Sequence, residues 1–360
     1  MPSVNPKHLC GDCGKPYNPY NGAPVIFSCN ANGGLAQDIA ANLSKRLCIE
    51  IGEAKSKIFQ DGETHIKPAK TVRGKDCYIV QTMTAYEHNG REYSVNDALM
   101  ELLIMVDTTL RAGARRVTAV IPHMAYMRQD RQTSAREPLT AKIVTNMLQS
   151  AGVDRVLTMD LHTPQVQSFF DKDTLLTNLF GSTIFINHYR EKFPVLKGED
   201  VAAKQDIIIV SPDIGAARMA RYFALKLGIE YAIINKVRGK DGEVELTHLI
   251  GEARGKTVII PDDMAGTGGT LVKNVEMLIN EHGAKEVYAC CTHALLAGNA
   301  VERLVNSPIK ELAVLDTVNI PEKKRFDRLK LLSASELFSE AIHNMHLDLP
   351  MSFMYDDQMG

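Results

Sequence analysis

Two adjacent carboxylates followed by a loop almost free of side chains stand out in residues 258–271, VIIPDDMAGTGGTL. Glycines let backbone N–H groups approach a ligand closely. Threonine hydroxyls add donors, and a helix beginning near Leu271 adds the positive end of its dipole. Gly266, Thr267, Gly268, Gly269 and Thr270 therefore suit a phosphate. Asp262 and Asp263 would repel that phosphate; they suit hydroxyl donors such as a sugar diol, or a Mg²⁺ ion. A glycine-rich turn alone reads as a tight strand-to-helix connection. The acid pair beside Thr-Gly-Gly-Thr points instead to a sugar-phosphate site.

Other polar groups follow apolar runs in the same way. Asp160-Leu161-His162 ends one run and Ser211-Pro212-Asp213-Ile214-Gly215 ends another. A histidine near carboxylates can help hold Mg²⁺ or contact phosphate oxygens, whereas an isolated one is more often bonded to backbone. Asp213 also reads as a plain helix cap. Arg128-Gln129-Asp130-Arg131 offers planar guanidinium forks that match phosphate and stack on bases; alone it would be a solvated loop. Asp61-Gly62-Glu63 reads as a hairpin turn. Residues 236–242, KVRGKDG, carry Lys236, Arg238 and Lys240 on a glycine-punctuated segment. That is either a solvated hairpin or a mobile lid that clamps a polyphosphate.

Strand ends must position these groups. Val258-Ile259-Ile260 is β-branched and apolar on both faces, as in a parallel sheet covered on both sides, with the acid pair just beyond it. From Pro24 onward strands and helices alternate. Strands are expected at 25–28, 77–80, 117–121, 156–159, 206–210, 231–234, 286–291 and 311–315, and helices at 35–47, 96–110 and 216–227. Asn96 or Asp97 would cap the second helix, and 87–92 reads as a polar loop. The fold class is α/β, with two doubly wound domains of similar build and parallel sheets. Expected boundaries are an extension at 1–23, domains at 24–173 and 174–330, and a tail at 331–360.

A chain of 360 residues suits two domains, and 45% hydrophobic with 23% charged residues is typical of a globular enzyme. The net charge of −2 and the lack of a basic tract give no reason to expect a nucleic acid. No secretory signal or membrane-spanning apolar run is visible, so no membrane partner is expected. Seven cysteines at irregular spacing suit reduced thiols in the cytoplasm. Cys10-Gly11-Asp12-Cys13-Gly14 resembles half of a zinc knuckle, with His8 nearby. A tetrahedral site needs four ligands, and the chain has no second Cys-x-x-Cys. A flexible extension is the expectation; a partial metal site, completed by another subunit, is the alternative.

Together these pieces resemble one family, the ribose-phosphate pyrophosphokinases (phosphoribosyl pyrophosphate synthetases) of the phosphate-activated class. The likeness spans about 25–354. It is carried by FQDGE at 59–63, VRGKD at 72–76, VTAVIPHMAYMRQDR at 117–131, REPLTAK at 136–142, RVLTMDLHTPQVQSFFD at 155–171, SPDIG at 211–215, NKVR at 235–238 and the acid-pair motif. The resemblance implies two stacked phosphoribosyltransferase-like domains, with ATP on the first, ribose 5-phosphate on the second and the tail packing near the first. It implies ATP binding by Asp61, Glu63, Arg128 and Gln129, and Mg²⁺ associated with His162 and Asp213. It implies catalytic cations at Lys236 and Arg238. Asp262 and Asp263 would hold ribose hydroxyls, and Gly266, Thr267, Gly268, Gly269 and Thr270 would cradle the 5-phosphate. A homo-hexamer with phosphate and ADP effectors is implied as well. Gly266 stands where the family usually has Asp, Ala216 replaces a glycine, and 85–94 looks like an insertion.

The expected reaction transfers the diphosphoryl group of ATP to the 1-hydroxyl of ribose 5-phosphate. A catalytically impaired regulatory homologue is one alternative; it should have lost the loop cations or the histidine, and this chain keeps both. A phosphoribosyltransferase is another, and it would not need the ATP segments.

Overall fold

The computed structural model describes residues 9–11, 13–198, 200, 204–238 and 244–352, with backbone alone for 236–238 and 244–247. The chain forms two compact units. The first runs through Leu179 and also takes in 317–319 and the C-terminal segment from Ser333; the second takes 180–316 and 320–332.

The first unit contains β1 (Pro24–Ser28), α1 (Gly33–Arg46), β2 (Glu50–Gly52), β3 (Ala54–Ile58), β4 (Thr64–Pro68), β5 (Asp76–Val80), β6 (Tyr86–His88), β7 (Arg91–Tyr93), α2 (Val95–Arg111), β8 (Arg116–Ile121), α3 (Thr140–Ser150), β9 (Arg155–Met159) and β10 (Leu175–Leu179). Its main sheet has the order β10-β9-β8-β5-β1-β2, and every pair is parallel. All five residues of β5 and all but the first of β8 are buried, as expected for strands covered on both faces. In α1 the buried positions Leu35, Ala36, Ile39, Ala40 and Leu43 form one stripe. β10 pairs with β9, so the first unit reaches Leu179 rather than ending at 173.

The second unit contains α4 (Ser182–Lys192), β11 (Ile207–Ser211), α5 (Ala217–Leu227), β12 (Glu230–Arg238), β13 (Val244–Ile250), β14 (Thr257–Ala265), α6 (Gly269–Asn280), β15 (Glu286–Ala294), α7 (Ala300–Asn306), β16 (Glu311–Leu315) and β17 (Leu329–Leu332). Its order is β13-β12-β11-β14-β15-β16-β17, with β13 antiparallel to β12 and the other pairs parallel. Both sheets reverse direction once. The chain goes from β1 outward to β2 and then builds from β5 the other way; it goes from β11 to β12 and then builds from β14 the other way. Such switch points leave a crevice at the carboxyl ends of the two central strands.

Three local expectations are corrected. Residues 87–92 are a hairpin and not a loop: Asn89 (φ 52°) and Gly90 (φ 76°) make a turn with two left-handed residues between β6 and β7. The Tyr86 and Tyr93 rings stack across it with centroids 4.8 Å apart. Helix α2 is capped by Ser94, in a capping box with Asp97, rather than by Asn96 or Asp97 itself. Strand β14 continues past Pro261 to Ala265, because β15 keeps pairing with it through Ala294.

The segment before β1 is packed rather than loose where it is described. Helix α8 (Ser335–Leu347) returns to the first unit and packs on α1, with the Ser339 hydroxyl donating to the Ile39 carbonyl at 3.2 Å. Fully buried His346 on α8 accepts the Asn18 N–H at Nε2 (3.2 Å), so its Nδ1–H donates to buried Asp76 (2.9 Å). Burial alone would raise the Asp76 carboxyl. The hydrogen bonds from His346 and Arg116 overcome burial and hold it below the usual aspartate value.

Candidate active site

The acid pair lies at the second switch point, on the last residues of β14 beside the carboxyl end of β11. Both carboxylates are half-buried, and the Asp263 N–H donates to Asp262 Oδ1 at 2.9 Å. Burial raises the Asp262 carboxyl well above the ordinary 3.8, and the charges of Asp263 and Asp213 raise it further. Asp213 is exposed just after β11; its Oδ1 accepts the Ala216 N–H at 3.0 Å at the start of α5. Asp213 thus closes the turn leading into α5, whose N-cap is Ala216 with no side-chain cap, so the plain N-cap reading does not hold; its charge still reaches Asp262. Among the described residues no salt bridge neutralises Asp262 or Asp213. Crowded hard oxygen donors that resist ionising together fit a hard cation such as Mg²⁺.

The glycine loop beside them is braced by its own backbone. The Gly266 carbonyl accepts the Ala297 N–H at 2.9 Å, and the Thr267 carbonyl accepts from the Arg303 guanidinium at 3.3 Å. Gly268 is buried in the left-handed region (φ 71°), where only glycine fits without strain, and α6 begins at the next residue. No side chain caps α6. Its first N–H groups lack intrahelical partners, and the exposed Thr267 and Thr270 flank them. An uncapped helix start of this kind, with threonines beside it, is suited to an anion.

Lys236 and Arg238 lie on β12, opposite Thr247 and Val244 of β13, with a bulge between Val237 and Arg238. The hairpin reading holds for the two strands. The lid reading falls on 239–243 and on side chains outside the described residues.

In the first unit, Arg128 and Gln129 are exposed on the segment between β8 and α3. Gln129 is tied to the start of α3: its side-chain oxygen accepts from the Thr140 hydroxyl, and its carbonyl accepts the Ala141 N–H at 3.2 Å. His162 is exposed after β9, next to Leu161, whose N–H is held by Asn178 Oδ1 at 3.1 Å. The Thr163 hydroxyl donates to Asp130 at 2.8 Å, joining the histidine turn to the arginine loop. Asp61 and Glu63 sit apart on the exposed turn between β3 and β4, where Asp61 Oδ1 accepts the Glu63 N–H at 3.2 Å and Gly62 has φ 99°. Among the described residues no hydrogen bond or ion pair connects that turn to Arg128 or Gln129.

Sequence reasoning missed the braces. Arg303, Ala297 and Asn274, whose buried amide donates to the Pro212 carbonyl at 3.2 Å, hold the glycine loop and the Ser-Pro-Asp turn in place. Nothing in their local sequence marks them, because their partners are distant in the chain.

Residues 24–152 match the family described as the N-terminal domain of ribose phosphate pyrophosphokinase, and 240–356 match a phosphoribosyl synthetase-associated domain. A ribose-phosphate pyrophosphokinase of Clostridium tetani is 44% identical over 92% of this chain and 97% of its own length. The chain belongs to the ribose-phosphate pyrophosphokinase family. The Bacillus subtilis member is 41% identical over 92% of this chain and 96% of its own length. The crystal structure of phosphoribosylpyrophosphate synthetase from Mycobacterium smegmatis matches with a TM-score of 0.78 at 33% identity, covering 90% of this chain and 98% of that one. With that membership the two switch-point sheets are the family's pair of phosphoribosyltransferase-like domains.

Proposed function

We propose that the chain transfers the diphosphoryl group of ATP to the 1-hydroxyl of ribose 5-phosphate, giving 5-phosphoribosyl 1-pyrophosphate and AMP for nucleotide biosynthesis. The observation that carries this reading is the acid pair set against an uncapped, glycine-lined helix start at a switch point. The uncapped N–H groups, with Thr267 and Thr270, hold the 5-phosphate. Asp262 and Asp263 accept from the ribose hydroxyls and orient the sugar. The 1-hydroxyl oxygen attacks the β-phosphorus in line, the bond from that phosphorus to the bridging oxygen breaks, and AMP leaves with the bond electrons. No covalent enzyme intermediate is required, so catalysis is positioning and charge stabilisation.

Arg128, Gln129, Asp61 and Glu63 are the proposed ATP-binding residues, and Lys236 and Arg238 meet the charge that shifts in the transition state. Mg²⁺, when bound, would supply charge neutralisation on the polyphosphate, and Asp213 and His162 are the residues proposed to act toward it. A cytoplasmic homo-hexamer with phosphate and ADP as effectors completes the proposal. No described helix is long and apolar enough to cross a membrane.

The test is AMP release from ATP and Mg²⁺ that depends on ribose 5-phosphate. Lys236→Ala should lower kcat by about 10²–10³, or about 2.7–4 kcal/mol, with little change in either KM, as for loss of one preorganised transition-state group. A wild type that releases no AMP would hand the protein to the regulatory-homologue reading.

A further inference from the structure

Three sulfurs that the reaction does not use meet on the first unit. The Sγ atoms of Cys10, Cys13 and Cys48 all lie within 4.8 Å of one another. The half-knuckle read from Cys10 and Cys13 thus gains a third sulfur from its own chain, beyond the end of α1. We propose that Cys10, Cys13 and Cys48 bind one zinc ion, with a nitrogen or oxygen donor in the fourth position, and that the ion fastens the N-terminal segment to the first unit.

The local backbone is arranged for it. Leu9 and Pro16 form an antiparallel bridge, and the Cys10 N–H donates to the Lys15 carbonyl at 2.9 Å, closing a small hairpin. At its tip the Gly14 N–H donates to the Cys10 carbonyl at 2.8 Å, and Gly14 takes φ 66°, a turn that glycine enters at little cost. That turn sets Cys10 and Cys13 side by side. The Cys48 N–H donates to the Pro16 carbonyl at 3.4 Å, bringing the third sulfur to the same hairpin. A second tie runs from the Lys15 ammonium to the Ser44 carbonyl.

Chemistry selects the ion. Cys48 follows Leu47, the C-terminal cap of α1, where the carbonyl end of the helix favours a cation. Thiolates favour zinc over hard cations, and with zinc–sulfur bonds of about 2.3 Å the sulfurs of a tetrahedral site sit about 3.8 Å apart. The present spacing is a small rotamer adjustment from that. A disulfide needs sulfurs about 2.05 Å apart, and all seven cysteines of the chain are unbridged. Cys10 and Cys48 are half-buried and Cys13 is exposed, so an ion can enter from solvent.

The experiment uses the full chain, purified under reducing conditions, incubated with zinc and freed of excess. Metal analysis should give one zinc per chain, and cobalt substitution should give thiolate-to-metal charge-transfer absorption. Cys48→Ser should release AMP as the wild type does yet lose zinc affinity by more than about 100-fold, beyond the cost of losing an outer-shell partner. Should Cys48→Ser fail to fold, Cys13→Ser at the exposed position reads the same loss. Three results would overturn the proposal: reduced wild type that takes up no zinc, Cys48→Ser that holds zinc as tightly as wild type, or cobalt spectra without sulfur ligation.

Discussion

The two sheets share a topology and treat their switch points in opposite ways. Between the ends of β1 and β5, Glu101 from α2 fills the crevice and is 1% exposed. It accepts from Gln81 Nε2 at 2.7 Å, from the Tyr86 hydroxyl at 3.1 Å and from the Asn30 N–H at 3.4 Å. The Gln81 side-chain oxygen in turn accepts the Ala31 N–H at 3.2 Å. Between the ends of β11 and β14, Asp213 and Asp262 face no such set of donors among the described residues. Burial raises both the Glu101 and Asp262 carboxyls, but donors oppose the rise at Glu101, whereas neighbouring carboxylates add to it at Asp262. The carboxylate at one switch point is enclosed by donors of the protein, while the one at the other is crowded by further carboxylates. A carboxylate's partners, more than its place in the fold, separate structure from binding.

Removing Glu101 should break the closed side. Glu101→Ala leaves two buried donors, Gln81 Nε2 and the Tyr86 hydroxyl, without that acceptor, each costing about 1–3 kcal/mol, so unfolding free energy should fall by about 2–6 kcal/mol. Chemical denaturation measures this, with the KM for ribose 5-phosphate unchanged in the folded fraction. A loss under about 1 kcal/mol would mean that water already serves those donors.

Asp262→Asn is the counterpart on the open side. Loss of a charged acceptor for a ribose hydroxyl is worth about 1.5–3 kcal/mol, so the KM for ribose 5-phosphate should rise by about 10- to 100-fold. Stability of the unliganded enzyme should hold or increase, since a like-charge contact is relieved. An enzyme destabilised with its KM intact would reverse the two roles.

The same comparison has a pH signature. The folded Asp262 carboxyl binds its proton more tightly than the unfolded one, whose ordinary value is 3.8. Its contribution to stability is therefore complete below that value and is lost as pH rises through the raised folded value. Sugar binding works the other way, because the acceptor must be ionised. Over that window wild type should lose stability relative to Asp262→Asn with a slope of at most about 1.4 kcal/mol per pH unit, one proton's worth. Denaturant midpoints across pH for the two proteins check it; parallel curves would remove Asp262 as the crowded group.

What was legible in the sequence follows from range. The central strands were legible as short continuous apolar runs, α1 because its buried side repeats with a local period, and the glycine loop because its chemistry is contiguous. β14 beyond Pro261 was not, since only the partner strand β15 keeps those residues extended. The Asn89-Gly90 hairpin carried a usable turn signal that the surrounding charged residues obscured. Cys48 beside Cys10 and Cys13, and Glu101 against Gln81, depend on residues far apart in the chain meeting in space. No spacing rule reaches them.

The smallest expected effect tests whether the open side is tuned by loop freedom or by charge. The resemblance places Asp where this chain has Gly266, whose carbonyl is held by Ala297 between Ala265, held by Leu295 and Leu296, and Thr267, held by Arg303. Glycine gives up more freedom on ordering than another residue, about 0.5–1 kcal/mol, so Gly266→Asp should lower the KM for ribose 5-phosphate by about two- to fivefold. The added carboxylate opposes this by repelling the phosphate, and Gly266 is partly exposed, so salt screens that repulsion. The gain should therefore grow with ionic strength while kcat stays level. A KM that rises on substitution at every salt concentration would show that the loop is already ordered without its ligand, and that charge alone governs the site.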